Sequence, residues 1–355
     1  QNYPVLTSVI TTATATTISG TLDSRANSTY RIEFFASAAP DPSCHGEGQT
    51  LLGSKTVTTD DNGDGSGDAS FTATTADDGL LPAPASQPFI TATATNTATN
   101  DTSEFSGVFE IPSLVVTTTA DVVANDCQTS LREAINFANS DPDLSTITFA
   151  IPGAGPHTIN VGGTGLGSLP TIIQPVVIDA TTQMDANCNT NEPGLGTDAD
   201  LRIELNGTNA GAGAHGLNIT AGGSTVRGLV INRFGGSGIR MATGGGNLVE
   251  CNFLGTNAAG TADLGNAIDG VFIFDSANNT IGGTTAAARN VISGNDQRGI
   301  FVFRAASVNN LVQGNFIGTN AAGTGPVGNT GDGGVVIESG ANGNTVGGTT
   351  AGARN

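Results

Sequence analysis

Tryptophan is absent from this chain of 355 residues, aromatic residues make up only 5 %, and Lys55 is the sole lysine. A conventional core of this size buries several large rings, so an ordinary compact interior is not expected. The 12 basic residues face 31 acidic ones, for a formal charge of −19. A phosphate-tracking surface needs clustered lysine and arginine, which argues against nucleic acid as a partner and equally against anionic membranes. No apolar run approaches the roughly 20 residues of a spanning helix, so no membrane insertion is expected. No signal sequence opens the chain at Gln1, and the segment reads as a mature or excised piece. The four cysteines, Cys44, Cys127, Cys188 and Cys251, form no CxxC pair and are too sparse for a disulfide scaffold. A Cys127–Cys188 disulfide and buried thiols are both open readings.

What is present is 51 glycines with Val, Ile, Leu and Ala set among Thr and Asn. That mixture suits many short strands joined by tight turns. The apolar share of 37 % is too high for a disordered chain. Residues 1–112 carry alternating runs at 16–22, 30–37, 53–59, 69–75, 89–95 and 104–111, with Gly, Asn, Asp and Pro between them. About seven strands at this spacing predict an immunoglobulin-like β-sandwich ending near Pro112-Ser113.

Residues 113–146 read as the N-terminal cap of a repetitive region. Leu131, Ala134, Ile135 and Ala138 have helical spacing, and Ser130 with Glu133 forms a capping box, which predicts a helix over 130–139. From 147 to 355 the sequence repeats. Residues 247–261, NLVECNFLGTNAAGT, return at 310–324 as NLVQGNFIGTNAAGT, and 279–285 return at 344–350. Strand starts near Thr225, Leu248, Thr280, Leu311 and Thr345 lie 23, 32, 31 and 34 residues apart. A short strand and a Gly/Asn turn bury an apolar face only when stacked on copies of themselves, which predicts a right-handed parallel β-helix with two coils per long repeat. The expected fold is all-β: sandwich, short capping helix, solenoid.

The stretch SLREAINFANS after Cys127, together with IGGT, ARNVISGN and GNFIGTNAAGT, resembles the CSLREA-type bacterial surface proteins. QNYPVLTS (1–8), HGEGQ (45–49) and NDTSEFS (100–106) resemble the sandwich that follows a β-helix in those proteins. The resemblance implies a secreted or cell-surface setting and supplies no catalytic residue.

Asp60, Asn62, Asp64 and Asp68 occupy oxygen positions of a calcium loop with Gly65 sixth, but Phe71 stands where a bidentate Glu belongs. Weak calcium binding competes with a solvated acidic hairpin, and no cofactor is required. Asn266 and Asp269 recur as Asn329 and Asp332, which predicts side chains closing turns on their own backbone, with a calcium or sugar contact as the alternative. Asn252, Asn295 and Asn315 are expected to form one internal ladder. A polysaccharide lyase or glycosidase needs a base or a pair of facing carboxylates. Glu204, Glu250, Asp275, Asp296 and Glu338 show no such cluster in sequence; Glu250 becomes Gln313 and Asp275 becomes Glu338 in the next repeat. His157 and His215 are expected in structural turns, and the solenoid arginines are expected to pair with local carboxylates. The expectation is therefore no enzyme but a structural or adhesive extracellular module. The alternatives are a carbohydrate-active β-helix enzyme and a non-catalytic binder of surface glycans. Residues 344–355 match 279–290 just before a strand. On that basis copies are expected head-to-tail, the sandwich of one covering the open coil of the last, in a filament or tandem array.

Overall fold

The computed structural model describes residues 2–11, 14–39, 45–61, 66–84, 87–111 and 113–355. Cys44, Asn62, Asp64 and Pro112 lie outside them. The chain divides into two compact units, 1–113 with 124–128, and 114–123 with 129–355.

The first unit is built of antiparallel strands. They are β1 (Val5–Thr11), β2 (Thr16–Ser24), β3 (Thr29–Ser37), β4 (Thr50–Thr58), β5 (Gly67–Thr74), β6 (Phe89–Asn96) and β7 (Phe109–Glu110). A four-residue turn of helix, α1 (Thr75–Asp78), follows β5. One sheet has the order β1-β2-β5 and the other β4-β3-β6-β7. Alternation along β2, β3 and β5 sends Ile18, Leu22, Ile32, Phe34 and Phe71 into one shared core. The expected strand over 104–111 shrinks to β7. Ser103 and Ser106 use both main-chain and side-chain groups on Ala94 and Ala92 of β6, so a bulged edge replaces a regular ladder.

The second unit is a solenoid-like stack of parallel strands in three sheets. The first sheet runs through Val115–Val116, Ser145–Phe149, Val176–Asp179, Thr225–Arg227, Leu248–Glu250, Thr280–Gly282, Leu311–Gln313 and Thr345–Val346. All five strand starts read from the repeat fall on this sheet. The second holds His157–Asn160, Ile203–Asn206, Leu229–Asn232, Phe253–Leu254, Val291–Ile292 and Phe316–Ile317. The third holds Leu217–Ile219, Ile239–Ala242, Val271–Phe274, Arg298–Phe303 and Gly333–Glu338. Inward positions stack in register: Ile219, Met241, Ile273 and Val302 form one fully buried column.

Helix α2 (Leu131–Ser140) begins at the expected place. Ser130 accepts from Glu133 N–H and the Glu133 carboxylate accepts from Ser130 N–H. Leu131, Ala134, Ile135 and Ala138 are buried in the solenoid core. Arg132 is buried on the same helix because Asp121 meets it at 2.7 and 2.8 Å, while Asp121 also accepts from Gly162 N–H.

Asparagine closes the turns in three ladders. Asn247, Asn279, Asn310 and Asn344 form the first, Asn252, Asn290, Asn315 and Asn355 the second, and Asn266, Asn295 and Asn329 the third. Each amide donates across one coil at 2.8–3.2 Å. This corrects the single ladder expected from sequence. Asn295 belongs with Asn266 and Asn329, and Asn290 bridges Asn252 to Asn315. The disulfide is also a correction: Cys188 joins Cys251, pinning the 183–200 insert, and not Cys127. His157 opens a strand instead of sitting in a turn.

Candidate functional site

The third sheet presents an aromatic floor. Five coils carry a residue, a glycine and then an alternating strand: HGLNI (215–219), SGIRM (237–241), DGVFIF (269–274), RGIFVF (298–303) and GGVVIE (333–338). The glycine is dictated by crowding, since a Cβ on Gly270 would stand 2.4 Å from Ile292 Cγ2 and 2.7 Å from Gly299 O. After it, odd and even positions alternate between core and exterior.

Register then aligns the exterior positions coil on coil. Asn218, Arg240, Phe272, Phe301 and Val336 make one row; Ala242, Phe274, Phe303 and Glu338 make the next. Phe272 stacks on Phe301 at 5.3 Å between centroids, and Phe274 on Phe303 at 6.2 Å. Within the strands the Phe272–Phe274 and Phe301–Phe303 centroids are 5.6 and 5.1 Å apart, so the four rings form a continuous patch. Phe272, Phe274 and Phe303 remain partly exposed.

Three guanidinium groups cover its edges. Arg298 lies 3.8 Å from the Phe301 centroid, Arg304 4.4 Å from that of Phe274, and Arg240 5.3 Å from that of Phe274. Arg304 reaches back because it follows the strand in the left-handed region at φ 76°, which turns the chain off the sheet. Asp275 occupies the equivalent position at φ 48° and pairs with Arg304 at 3.4 Å.

The residues just before the glycines form a polar rim. His215 Nδ1 accepts from Ser237 N–H at 2.9 Å. Burial, helped by the nearby Arg240 charge, holds that imidazole below its ordinary range and favours the neutral form. Asp269 is buried, with Ser237 Oγ at 3.4 Å and Arg298 Nε at 3.5 Å; Asp332 shares Arg298 from the exposed side at 3.6 Å. Burial outweighs the arginine and pushes the Asp269 carboxyl up to about 6. Asp269 thus faces a side-chain partner in the next coil and does not close a turn on its own backbone, whereas Asn266 and Asn329 are ladder members.

The other carboxylates singled out in the sequence are elsewhere. Glu204 accepts from Thr158 and Asn232 and lies 3.6 Å from Arg233. Glu250 lies 3.8 Å from Arg227, which also grips Asp179 on the first sheet. Burial raises Glu250; for Asp179 it is outweighed by hydrogen bonds from Arg227 and Thr181, which hold that carboxyl low. Glu338 ends the second floor row, and Asp296 is exposed. At the acidic stretch Asp60 accepts from Asp68 N–H at 2.9 Å and its own N–H donates to Asp68 O at 3.0 Å; the flanking strands β4 and β5 belong to different sheets, so the stretch does not join a β-hairpin. Among the described residues no three His, Cys, Asp or Glu side chains gather as a metal site.

The floor escapes a sequence reading that compares residues at the 63-residue repeat and not at single-coil spacing. The recurring pattern of a residue, a glycine and an alternating strand is the signal that could have found it.

No protein-family model and no curated protein matches the chain. Among solved structures it is similar to the catalytic domain of a GH87 α-1,3-glucanase in complex with tetrasaccharides, at 12 % identity and a TM-score of 0.28, covering 91 % of this chain and 68 % of that one. It is also similar to a pectate lyase from Pectobacterium carotovorum, at 12 % identity and a TM-score of 0.16, covering 89 % of this chain and 67 % of that one.

Proposed function

We propose that this chain is an extracellular adhesive module that holds a glycan, without cleaving it, on the outer face of its third parallel sheet. The carrying observation is the four-ring floor of Phe272, Phe274, Phe301 and Phe303 bordered by Arg240, Arg298 and Arg304. A sugar ring offers C–H groups that pack against exposed aromatic carbon and hydroxyls that pair with polar side chains at its edge. Asp269, Asp332 and Asp275 are tied to arginines, which favours contact over chemistry.

The setting belongs to the same proposal. A disulfide between Cys188 and Cys251 suits an oxidising compartment, and no helix among the described residues is long and apolar enough to cross a membrane. We read the solenoid as a right-handed β-helix of the CSLREA type. The strand orders β1-β2-β5 and β4-β3-β6-β7 support the immunoglobulin-like reading of the first unit.

The test is affinity electrophoresis through a panel of embedded polysaccharides, comparing the chain with Phe272→Ala/Phe303→Ala. The chain should be retarded by at least one polysaccharide, and the double variant should lose that retardation while keeping its circular-dichroism spectrum. Equal retardation of both proteins contradicts the site.

One observation favours a second reading as a glycosidase: Asp269, protonated up to about pH 6, and Asp332 flank the same arginine. Release of reducing ends from a bound polysaccharide, lost in Asp269→Asn, would establish it.

A further inference from the structure

We infer that the ligand of the aromatic floor is an acidic glycan bearing a carboxylate or sulfate group, and that Arg240 is the residue that selects for it. This rests on the glycan reading above and names the chemical class of that ligand.

The three arginines of the floor are not equivalent. Arg304 is matched by Asp275, and Arg298 by Asp269 and Asp332. Arg240 is held by a neutral partner, Asn218, whose Oδ1 accepts from its guanidinium at 2.9 Å. Among the described residues no carboxylate lies within 4.0 Å of it. It is half-buried against the rings of Phe272 and Phe274, and that burial lowers its affinity for the proton. His215, the titratable neighbour on the adjoining coil, is neutral or positive in either protonation state and supplies no counter-charge. A desolvated cation oriented by an amide and left without a counter-charge is costly alone and favourable once an oxyanion reaches it. Of the three arginines that border the floor, Arg240 alone has no carboxylate within 4.0 Å among the described residues.

Position ties the charge to the floor. Arg240 and Phe272 are register partners on adjacent strands, about 4.8 Å apart across the sheet. A sugar packed against the exposed part of Phe272 therefore lies beside the Arg240 guanidinium, whose planar fork fits a carboxylate or a sulfate ester in two-point contact.

The experiment is calorimetric titration with matched oligosaccharide sets on several backbones, each set holding a uronate oligomer, its carboxyl-reduced neutral form and a sulfated derivative of that neutral form. Wild type, Arg240→Gln, Arg240→Lys and Phe272→Ala are compared, with thermal melts to verify folding. At least one charged member should bind about tenfold tighter than its neutral counterpart. Arg240→Gln should lose that preference, so that charged and neutral members bind alike; Arg240→Lys should keep part of it; Phe272→Ala should weaken all members together. The uronate and sulfate arms decide which anion is preferred. Equal binding of charged and neutral members, or a preference that survives Arg240→Gln, overturns the inference and leaves the glycan reading standing. Failure of every oligosaccharide in every set overturns both.

Discussion

The ring of Phe272 lies nearly parallel to that of Phe301, with planes 10° apart and centroids 5.3 Å apart, although 29 residues of chain separate them. Neither ring enters the solenoid core, which is closed beneath them by Val271, Ile273, Ile300 and Val302. The stack joins two coils and leaves Phe272 partly exposed. Phe301, the more buried of the two, is expected to cost about 2 kcal/mol on replacement by alanine, and Phe272 about 1 kcal/mol. Denaturant unfolding of both variants checks the order; a larger loss for Phe272 would mean that it is a structural residue first.

Asn279 is fully buried, donates to Asn310, and accepts from both the main chain and the side chain of Asn247. Replacing it by alanine strands donors that no water reaches, an expected loss of about 2–4 kcal/mol. Exposed Asn342 should change stability by less than about 0.5 kcal/mol on the same substitution. Comparable melting shifts for the two would show that the ladder is incidental to stability.

Much of the scaffold is legible in the sequence because its signals are local. The capping box at Ser130 and Glu133 and the spacing of Leu131, Ala134, Ile135 and Ala138 need no tertiary knowledge. The strand starts at Leu248, Thr280, Leu311 and Thr345 come from short strands recurring after asparagine, and that at Thr225 from the same pattern after Ser224. Features that depend on coil length are not legible. Asn290 enters its ladder from a different motif than Asn252 and Asn315, so a repeat alignment passes over it. Cys188 meets Cys251 because the 183–200 insert folds back over the second sheet, beside Leu201, Val230 and Phe253. The phenylalanines face each other because inserts of unequal length leave the strands in register, and only the structure reports that register.

Asp121 is expected to matter more than any surface ion pair. It and Arg132 are both buried, and Asp121→Ala leaves the guanidinium without its counter-charge and Gly162 N–H without that acceptor. The expected loss is about 3–5 kcal/mol, against less than about 1 kcal/mol for Glu33→Gln, whose partner Arg31 is largely exposed. Chemical denaturation followed by circular dichroism distinguishes the two; similar losses would mean that the pair does not hold the helix.

Asp269 sets a pH dependence of definite sign. Its folded carboxyl titrates near 6, above the ordinary 3.8, so the folded state holds a proton that the unfolded state has released. Stability from this group is full below about pH 4 and falls as pH rises towards 6, by about 3 kcal/mol in all. Asp269→Asn lacks the titration, so its stability relative to wild type should improve from pH 4 to pH 7. His215 contributes the opposite slope in both proteins, since its lowered affinity for the proton favours folding at higher pH, and it cancels in the difference. Parallel pH profiles would mean that Arg298 keeps Asp269 ionised despite its burial and the neighbouring Asp332.

The central claim is that carbohydrate lies on the phenylalanine floor. The most direct measurement is an NMR titration of the ring-labelled chain, with phenylalanine resonances assigned by substitution, against an oligosaccharide that the chain retains. Binding on the floor predicts saturable shifts at Phe272, Phe274 and Phe303, and none at buried Phe149, Phe234 or Phe253. Shifts confined to other phenylalanines, or binding that leaves the floor resonances unmoved, would contradict it.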